Sequence, residues 1–256
     1  MLSKFWINLT AEEIKKLGKN IVLIFPFSSI EQHGNHLPVG TDKIILDGIL
    51  ENYSKKKNIS NNFVIMPIIS IGSASEHSSF EGTISIKSSE YINYITKFVE
   101  QFCIKKYKKF LFLNSHGGQI NHLEIIAKEL KSRYKSIDIV KANYFLFEGF
   151  KNIISSDEID YGYHGGEFET SLMLYLKPNL VKNKLIKRHK LSPDHNSKSI
   201  ISFEKNIKRA WNTKDLNKTG IIGNPINSSK NKGYKIVEVT ISTIDKIIKE
   251  MTLKIL

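Results

Sequence analysis

Residues 21–56 carry the sequence IVLIFPFSSIEQHGNHLPVGTDKIILDGILENYSKK, and this stretch indicates the class of fold. Its first seven residues are apolar and rich in strand-forming types, which predicts a buried strand at 21–27. From residue 41 onward, apolar side chains recur at helical spacing, which predicts a helix over 41–56. A polar loop joins the two, so the stretch has the form of a strand followed by a helix.

The same alternation continues along the rest of the chain. We predict further strands at 63–69, 109–115 and 137–145, and further helices at 88–107, 120–134, 166–176 and about 227–252. Alternating strands and helices favour an α/β fold with a largely parallel sheet that is covered on both faces. No repeat or linker divides the chain, so we expect one domain over 1–256. The Lys-, Asn- and Ser-rich region 182–230 is either an elaborated loop over a site or an oligomer contact.

The composition narrows the class of protein. An apolar content of 41% and a charged content of 25% are ordinary for a globular protein. The single cysteine, Cys103, excludes an intramolecular disulfide. No apolar run approaches the ~20 residues of a membrane span, and the N-terminus does not resemble a signal peptide. We therefore expect a cytoplasmic protein with no membrane partner.

The formal net charge of +13 first suggests a nucleic-acid partner. Of the 38 basic residues, however, only Arg133, Arg188 and Arg209 are arginines. Recognition of phosphates and bases relies on the planar fork of arginine, and the lysines here are scattered rather than clustered. The lysines therefore indicate a solvated surface, and we expect no nucleic-acid partner.

Polar residues that can carry chemistry fall in three segments, the first two of which directly follow predicted strands. The segments are SIEQHGNHLPVGTD (29–42), NSHGGQ (114–119) and YGYHGGEFETS (161–171). Sites in open α/β sheets form outside the carboxyl ends of the strands. Glu31 and His33 would face one point from an extended loop, and a turn can bring Asp42 back to them. Taken alone, this loop could equally be a polar surface loop.

The other two segments add a histidine each. His116 precedes two glycines and, by itself, could be a structural histidine. In the third segment His164 is followed by Glu167 and Glu169, whose carboxylates would repel one another unless a cation lies between them. Acidic residues that stabilise a helix start are the alternative for the two glutamates, but this alternative does not explain the histidine. The combined histidine and carboxylate set suits Zn²⁺, Mn²⁺ or Fe²⁺, and its size suggests two ions.

The three segments resemble the signatures of the creatininase (creatinine amidohydrolase) family. GSASEHSSFEGTISI (72–86) and GIIGNPINSSKNKGYKI (220–236) extend the resemblance, which covers about residues 21 to 250 in the expected order. The resemblance implies a three-layer α/β/α fold with a mostly parallel central sheet, two divalent metal ions per subunit and a homohexamer. It implies hydrolysis of C–N amide bonds. It also implies that Glu31, Asp42 and His116 hold one ion, and that His33, Asp42 and Glu167 hold the other.

The sequence departs from creatininase proper, which takes a metal ligand from a Glu two residues after the histidine of the second motif. That place is Gly118 here, and Gln119 replaces the usual Asn. The chain therefore resembles the non-creatinine branch, in which the ligand comes from the third motif, at Glu167. Creatininase proper also has two active-site tryptophans between the second and third motifs, whereas Trp6 and Trp211 lie outside that span.

These observations predict a metal-dependent hydrolase of non-peptide amide or formamide bonds in a small biosynthetic intermediate. We expect His164 to transfer a proton to the leaving nitrogen, with Glu169 orienting it. His36 and His77 either contact the site or are structural. The alternative is a catalytically silent, metal-stabilised oligomer that binds or regulates, against which the intact ligand set argues.

Overall fold

The computed structural model describes residues 4–204 and 206–253. Its centre is a sheet of four parallel strands in the order β2-β1-β3-β4. The strands are β1 (Val22–Phe27), β2 (Phe63–Ile65), β3 (Lys109–Asn114) and β4 (Asp138–Asn143). The prediction of a parallel sheet is confirmed.

β2 is shorter than the predicted strand at 63–69. Its three residues pair in register with Val22, Leu23 and Ile24 of β1. The regular ladder then stops ahead of Pro67, which has no N–H to donate to a neighbouring strand. The chain still follows β1, because the Ile69 amide donates to the Pro26 carbonyl at 3.0 Å.

Five long helices connect and cover the strands. The described helices are α1 (Ala11–Lys15), α2 (Thr41–Lys55), α3 (Ser88–Ile104), α4 (Ile120–Arg133), α5 (Ser156–Tyr161), α6 (Glu167–Leu176), α7 (Thr213–Leu216) and α8 (Lys230–Leu253). The long ones, α2, α3, α4, α6 and α8, lie where helical spacing of apolar residues predicts them. The short helices α1, α5 and α7 were not predicted. Among the described residues, no helix combines the length and apolar character that crossing a membrane requires.

The helices form a layer on each face of the sheet. Val22 and Ile24 of β1 point to the face covered by α2, α6 and α8, whereas Leu23 and Phe25 point to the face covered by α3 and α4. This alternation follows from the two-residue period of a strand, and each face has its own apolar core. The three-layer α/β/α architecture is therefore confirmed.

Part of the region 182–230 lies against the segment that precedes α6. Ile222 and His164 exchange backbone hydrogen bonds of 2.8 and 2.9 Å. The Gln32 side chain donates to the Gly220 carbonyl at 2.7 Å, and the Thr213 hydroxyl lies 2.9 Å from His77 Nδ1. These contacts support the first alternative for this region, a loop over the site, and do not test the second.

Candidate metal centre

Six polar side chains meet at the carboxyl ends of β1 and β3, and we call them the polar cluster. They are Glu31, His33, Asp42, His116, His164 and Glu169. They come from the loop after β1, the first turn of α2, the residues after β3, and the start of α6 with the residues before it. The first five are at most 6% exposed, and the Glu169 side chain is 18% exposed. The fold therefore brings the three polar segments together, and for the first two this is what the strand-end argument predicts.

Asp42 lies in the middle of the polar cluster. Its Oδ1 is 3.2 Å from His33 Nε2, and its Oδ2 is 3.5 Å from His116 Nδ1. The Ser29 hydroxyl donates to Oδ2 at 2.6 Å and holds the carboxylate in place. Because each carboxylate oxygen faces a different histidine, Asp42 has the orientation that a ligand shared by two cations needs.

Glu31 faces a second set of ring nitrogens. Its Oε2 is 2.8 Å from His116 Nδ1, and its Oε1 is 3.5 Å from His164 Nδ1. Burial raises the pKa of the Glu31 carboxyl, because water no longer stabilises its charge. A cation between these nitrogens and the carboxylate would restore the charged form.

Three histidines of the polar cluster share one hydrogen-bonding pattern. Each donates the N–H of its outer ring nitrogen to a backbone carbonyl. The pairs are His33 Nδ1 with Glu31 O at 3.1 Å, His116 Nε2 with Ser73 O at 3.2 Å, and His164 Nε2 with Gln32 O at 2.5 Å. A neutral imidazole carries only one N–H, so in the neutral form of each ring the inner nitrogen, which points at the carboxylates, is free to bind a metal. Such outer hydrogen bonds orient metal-ligating histidines in proteins.

The surroundings of the inner nitrogen of His33 show whether a metal ion would fit there. His33 Nε2 is buried and, within the described residues, has no hydrogen bond of good geometry, although Asp42 Oδ1 lies 3.2 Å and Glu169 Oε1 3.6 Å away. Burial disfavours a charge on His33, but the carboxylates of Glu169 and Asp42 raise its pKa. This position therefore attracts either a proton or a metal ion, and the donor set of imidazole and carboxylate suits Mn²⁺, Zn²⁺ or Fe²⁺.

Three groups of side chains place ligand atoms within 4.8 Å of one another. They are Glu31, Asp42 and His116; His33, His164 and Glu169; and Glu31, His77 and His164. The first group matches one ligand set that the resemblance implies. The second contains His33 but has Glu169 where Glu167 was expected.

Glu167 lies outside the polar cluster. Its carboxylate forms an ion pair with Lys232 of α8, and it belongs to none of the three groups found among the described residues. Helix α6 begins only at Glu167, so the helical spacing that would place it beside His164 does not apply. Residues two apart on a helix point about 200° apart, so Glu169 faces the polar cluster when Glu167 faces away.

Glu169 was expected to orient His164, but the structure gives the two residues different hydrogen-bond partners. His164 takes its orientation from the Gln32 carbonyl, whereas Glu169 accepts a 2.6 Å hydrogen bond from the Gly165 amide. His36 is buried but lies 2.9 Å from the Thr170 hydroxyl through Nε2, outside the three groups.

Glu76 is a site residue that the sequence analysis missed. Its Oε1 lies 3.2 Å from His116 Nε2, on the side of the ring opposite the polar cluster. A Cβ added at Gly118 would lie 1.8 Å from the same oxygen, so the missing side chain at Gly118 makes room for this carboxylate. Its position directly before His77, in a segment that resembles the family, was the available signal.

A family model described as "Creatininase: Creatinine amidohydrolase" matches residues 8–248. The chain belongs to the creatininase family. It is 22% identical over 219 residues to the "Mycofactocin precursor peptide peptidase" of Mycobacterium ulcerans (strain Agy99), covering 84% of this chain and 79% of that protein. It is 25% identical over 186 residues to the "Creatinine amidohydrolase" of Pseudomonas putida, covering 66% of this chain and 69% of that protein.

The fold is also that of the creatininase family. The solved structure called "Creatininase Mn" superposes with a TM-score of 0.77 at 20% identity, covering 99% of this chain and 100% of that chain. The family model and the hydrolases among the relatives make this chain a creatininase-family amidohydrolase, with side chains grouped so that they could bind metal.

Gly118→Ala tests whether the contact between Glu76 and His116 matters in this creatininase-family protein. The new methyl group would lie 1.8 Å from Glu76 Oε1 and 2.6 Å from His116 Nε2, so we expect it to disturb both side chains and to weaken metal binding by at least about 10- to 100-fold, the usual effect of losing such an outer contact. Gly117→Ala is the control, since nothing lies within 4 Å of a Cβ added there. The measurement is competition with a chelating dye. Equal metal affinities of the two variants would contradict the role of Glu76.

Proposed function

We propose that this protein is a dinuclear metal-dependent hydrolase of C–N amide or formamide bonds. The observation that supports this proposal best is the shared orientation of three histidines, His33, His116 and His164, each with its inner ring nitrogen toward buried carboxylates. Four or more nitrogen and oxygen ligands around a shared carboxylate are typical of hydrolytic two-metal sites.

The proposed ligands divide around Asp42. Glu31, Asp42 and His116 would hold one ion, and His33, Asp42 and Glu169 the other. Glu169 thus takes the place that the sequence assigned to Glu167. When bound, such ions lower the pKa of a coordinated water and polarise a substrate carbonyl. Zn²⁺, Mn²⁺ and Fe²⁺ all suit the ligand types.

His164 is the proposed proton carrier. Its Nδ1 is bare, since the N–H of Nε2 donates to the Gln32 carbonyl at 2.5 Å. Burial, with the neighbouring His33, lowers the pKa of His164 to about 4, so the ring is neutral near pH 7. The neutral ring can take a proton from the nucleophile on Nδ1, and the resulting imidazolium, whose pKa is low, can then release that proton to the leaving nitrogen.

The proposed substrate is a small non-peptide amide other than creatinine. Trp6 packs edge-on against Phe102 in the core, and the Trp211 indole N–H donates to the Phe203 carbonyl. Neither tryptophan falls between the second and third motifs, where creatininase proper has its pair. The names of the mycobacterial relatives favour a second candidate, an amide bond within a peptide.

We also propose that the protein is a homo-oligomer, most simply a hexamer as the family resemblance implies. The region 182–230 supports this, because it exposes large apolar side chains. Ile200 is 81% exposed and Ile207 is 56% exposed. Association of subunits would remove such surfaces from water.

A substrate panel with metal removal and return tests the proposed function. The protein is stripped with a chelator, then reloaded with Mn²⁺ or Zn²⁺, and offered an N-formyl amine, creatinine and a short peptide. We expect metal-dependent release of formate or amine from at least one amide, with creatinine the poorest substrate. Full metal loading without hydrolysis of any member would instead favour the silent binding protein.

A further inference from the structure

His77 stands beside the polar cluster in the three-residue 3-10 helix Ser75–His77. It is 3% exposed, and its ring centroid lies 4.2 Å from that of His164. Its Nε2 is 3.7 Å from Glu31 Oε1. By position alone His77 could be a metal ligand, since Glu31, His77 and His164 form one of the three ligand groups.

The outer nitrogen of His77 nevertheless has the opposite hydrogen bonding from the other three rings. Its Nδ1 lies 3.0 Å from the side-chain nitrogen of Gln32 and 2.9 Å from the Thr213 hydroxyl. An amide NH₂ group can only donate, so His77 Nδ1 must accept. A ring nitrogen that accepts carries no proton.

The orientation of the Gln32 amide is fixed independently of His77. Its oxygen accepts the Gly34 backbone N–H at 2.9 Å, and its nitrogen donates to the Gly220 carbonyl at 2.7 Å. Rotating the amide by 180° would set two oxygens against each other and two N–H groups against each other. The assignment of O and N, which ordinarily rests on the network, is therefore settled here by two backbone groups.

We infer that His77 is a neutral N–H donor aimed into the reaction centre, and neither a metal ligand nor a base. The protonation of His77 is argued from its hydrogen bonds alone, whereas its role in the reaction rests on the proposed function. Since Nδ1 accepts, the single proton of the neutral ring sits on Nε2, which faces the polar cluster. A ligand needs a bare nitrogen at that place, and a protonated nitrogen cannot bind a cation.

The donor is suited to stabilise an oxyanion. The 3.7 Å separation from Glu31 Oε1 is longer than a hydrogen bond, so Glu31 does not engage the N–H. A fixed donor that meets its acceptor only when charge develops accelerates the reaction without strengthening substrate binding. His77 and His164, whose ring planes are tilted by 38°, then form a pair in which His77 donates to the oxygen of the scissile amide and His164 accepts a proton.

A long-range ¹H–¹⁵N NMR spectrum of the Zn²⁺-loaded protein tests the protonation of His77 directly. Comparison with the spectrum of His77→Asn identifies its signals. We expect the pattern of a neutral ring protonated at Nε2, unlike that of His33 and His116. A His77 signal showing a proton on Nδ1, or a metal-bound Nε2, would overturn the inference. This result does not depend on finding a substrate, so it is separable from a failure of the proposed function.

Kinetics and metal analysis test the role of the donor. His77→Asn is expected to keep the full Zn²⁺ content and to lose about 10²- to 10³-fold in kcat with little change in KM. Loss of an ion from this variant would make His77 a ligand.

At Thr213, the matched variants are Thr213→Ser, which keeps the hydroxyl and the activity, and Thr213→Val, which removes one donor to Nδ1. We expect Thr213→Val to lower kcat several-fold and to add a population protonated at Nδ1. Indistinguishable Thr213 variants would contradict the assigned hydrogen bonding.

Discussion

Replacing Asp42 with alanine is expected to remove both metal ions and to abolish amide hydrolysis. The two carboxylate oxygens face different histidines, at 3.2 and 3.5 Å, so a single substitution takes one ligand from each proposed ion. It also leaves Glu31 and the remaining rings without the charge that organises them. We expect kcat/KM to fall by more than about 10³-fold, which corresponds to about 4 kcal/mol of transition-state stabilisation.

Elemental analysis of the purified variant, together with its circular dichroism spectrum, measures this effect. Asp47→Ala is the matched control. Asp47 lies on the same helix, α2, where it forms an exposed ion pair with Lys43. It should keep two ions and full activity, because exposed pairs contribute little to stability. An Asp42→Ala protein that is folded and holds two ions would show that Asp42 does not bridge.

The second large effect is expected at the two glutamates of α6, which should behave in opposite ways. Glu169→Gln should lose one of the two ions and most of the activity, because an amide is a much weaker ligand than a carboxylate. Glu167→Gln should keep both ions, since its carboxylate faces Lys232. Its cost should fall on stability instead, because the substitution leaves Lys232 without a charged partner.

Metal titration and thermal unfolding of both variants separate the alternatives. The predicted pattern is one ion with near-normal stability for Glu169→Gln, and two ions with a lower Tm for Glu167→Gln. The reverse pattern, with the ion lost from Glu167→Gln, would restore the assignment that the third motif suggested.

The sequence predicts much of the fold because its strands are apolar and its long helices are regularly spaced. β1 and β3 end within one residue of the predicted ends, at Phe27 and Asn114. Parallel strands bring their carboxyl ends to one edge, so the motifs that follow them had to meet. The three layers follow from strands that are buried on both faces.

The orientations of Glu167 and Glu169 could not be predicted from the sequence, because they depend on the residue at which α6 starts. Two glycines precede the helix, and Gly165 has a φ of 66°, in the left-handed region that glycine adopts readily. A start one turn earlier would have placed Glu167 beside His164. The sequence HGGEFETS shows both carboxylates, but it does not show where the helix starts and hence which carboxylate faces the polar cluster.

The hydrogen bonds of His77 could not be predicted from the sequence either. The Gln32 amide that sets its protonation also contacts Gly220, which is 188 residues away in the chain. Glu76 reaches His116 through space that a missing side chain leaves at Gly118. Such contacts depend on the packing of loops whose own course the sequence does not predict.

His33, His116 and His164 each have a main-chain oxygen as an acceptor, and only His116 has a carboxylate, that of Glu76, beside the same nitrogen. The orientation of these rings thus depends largely on the path of the backbone. Ser73→Ala keeps the carbonyl that serves His116 and adds no bulk at this buried position, so it should retain the metal. Lineages that keep this loop path can exchange the residues around the centre, and with them the molecules they process, without having to rebuild the centre itself.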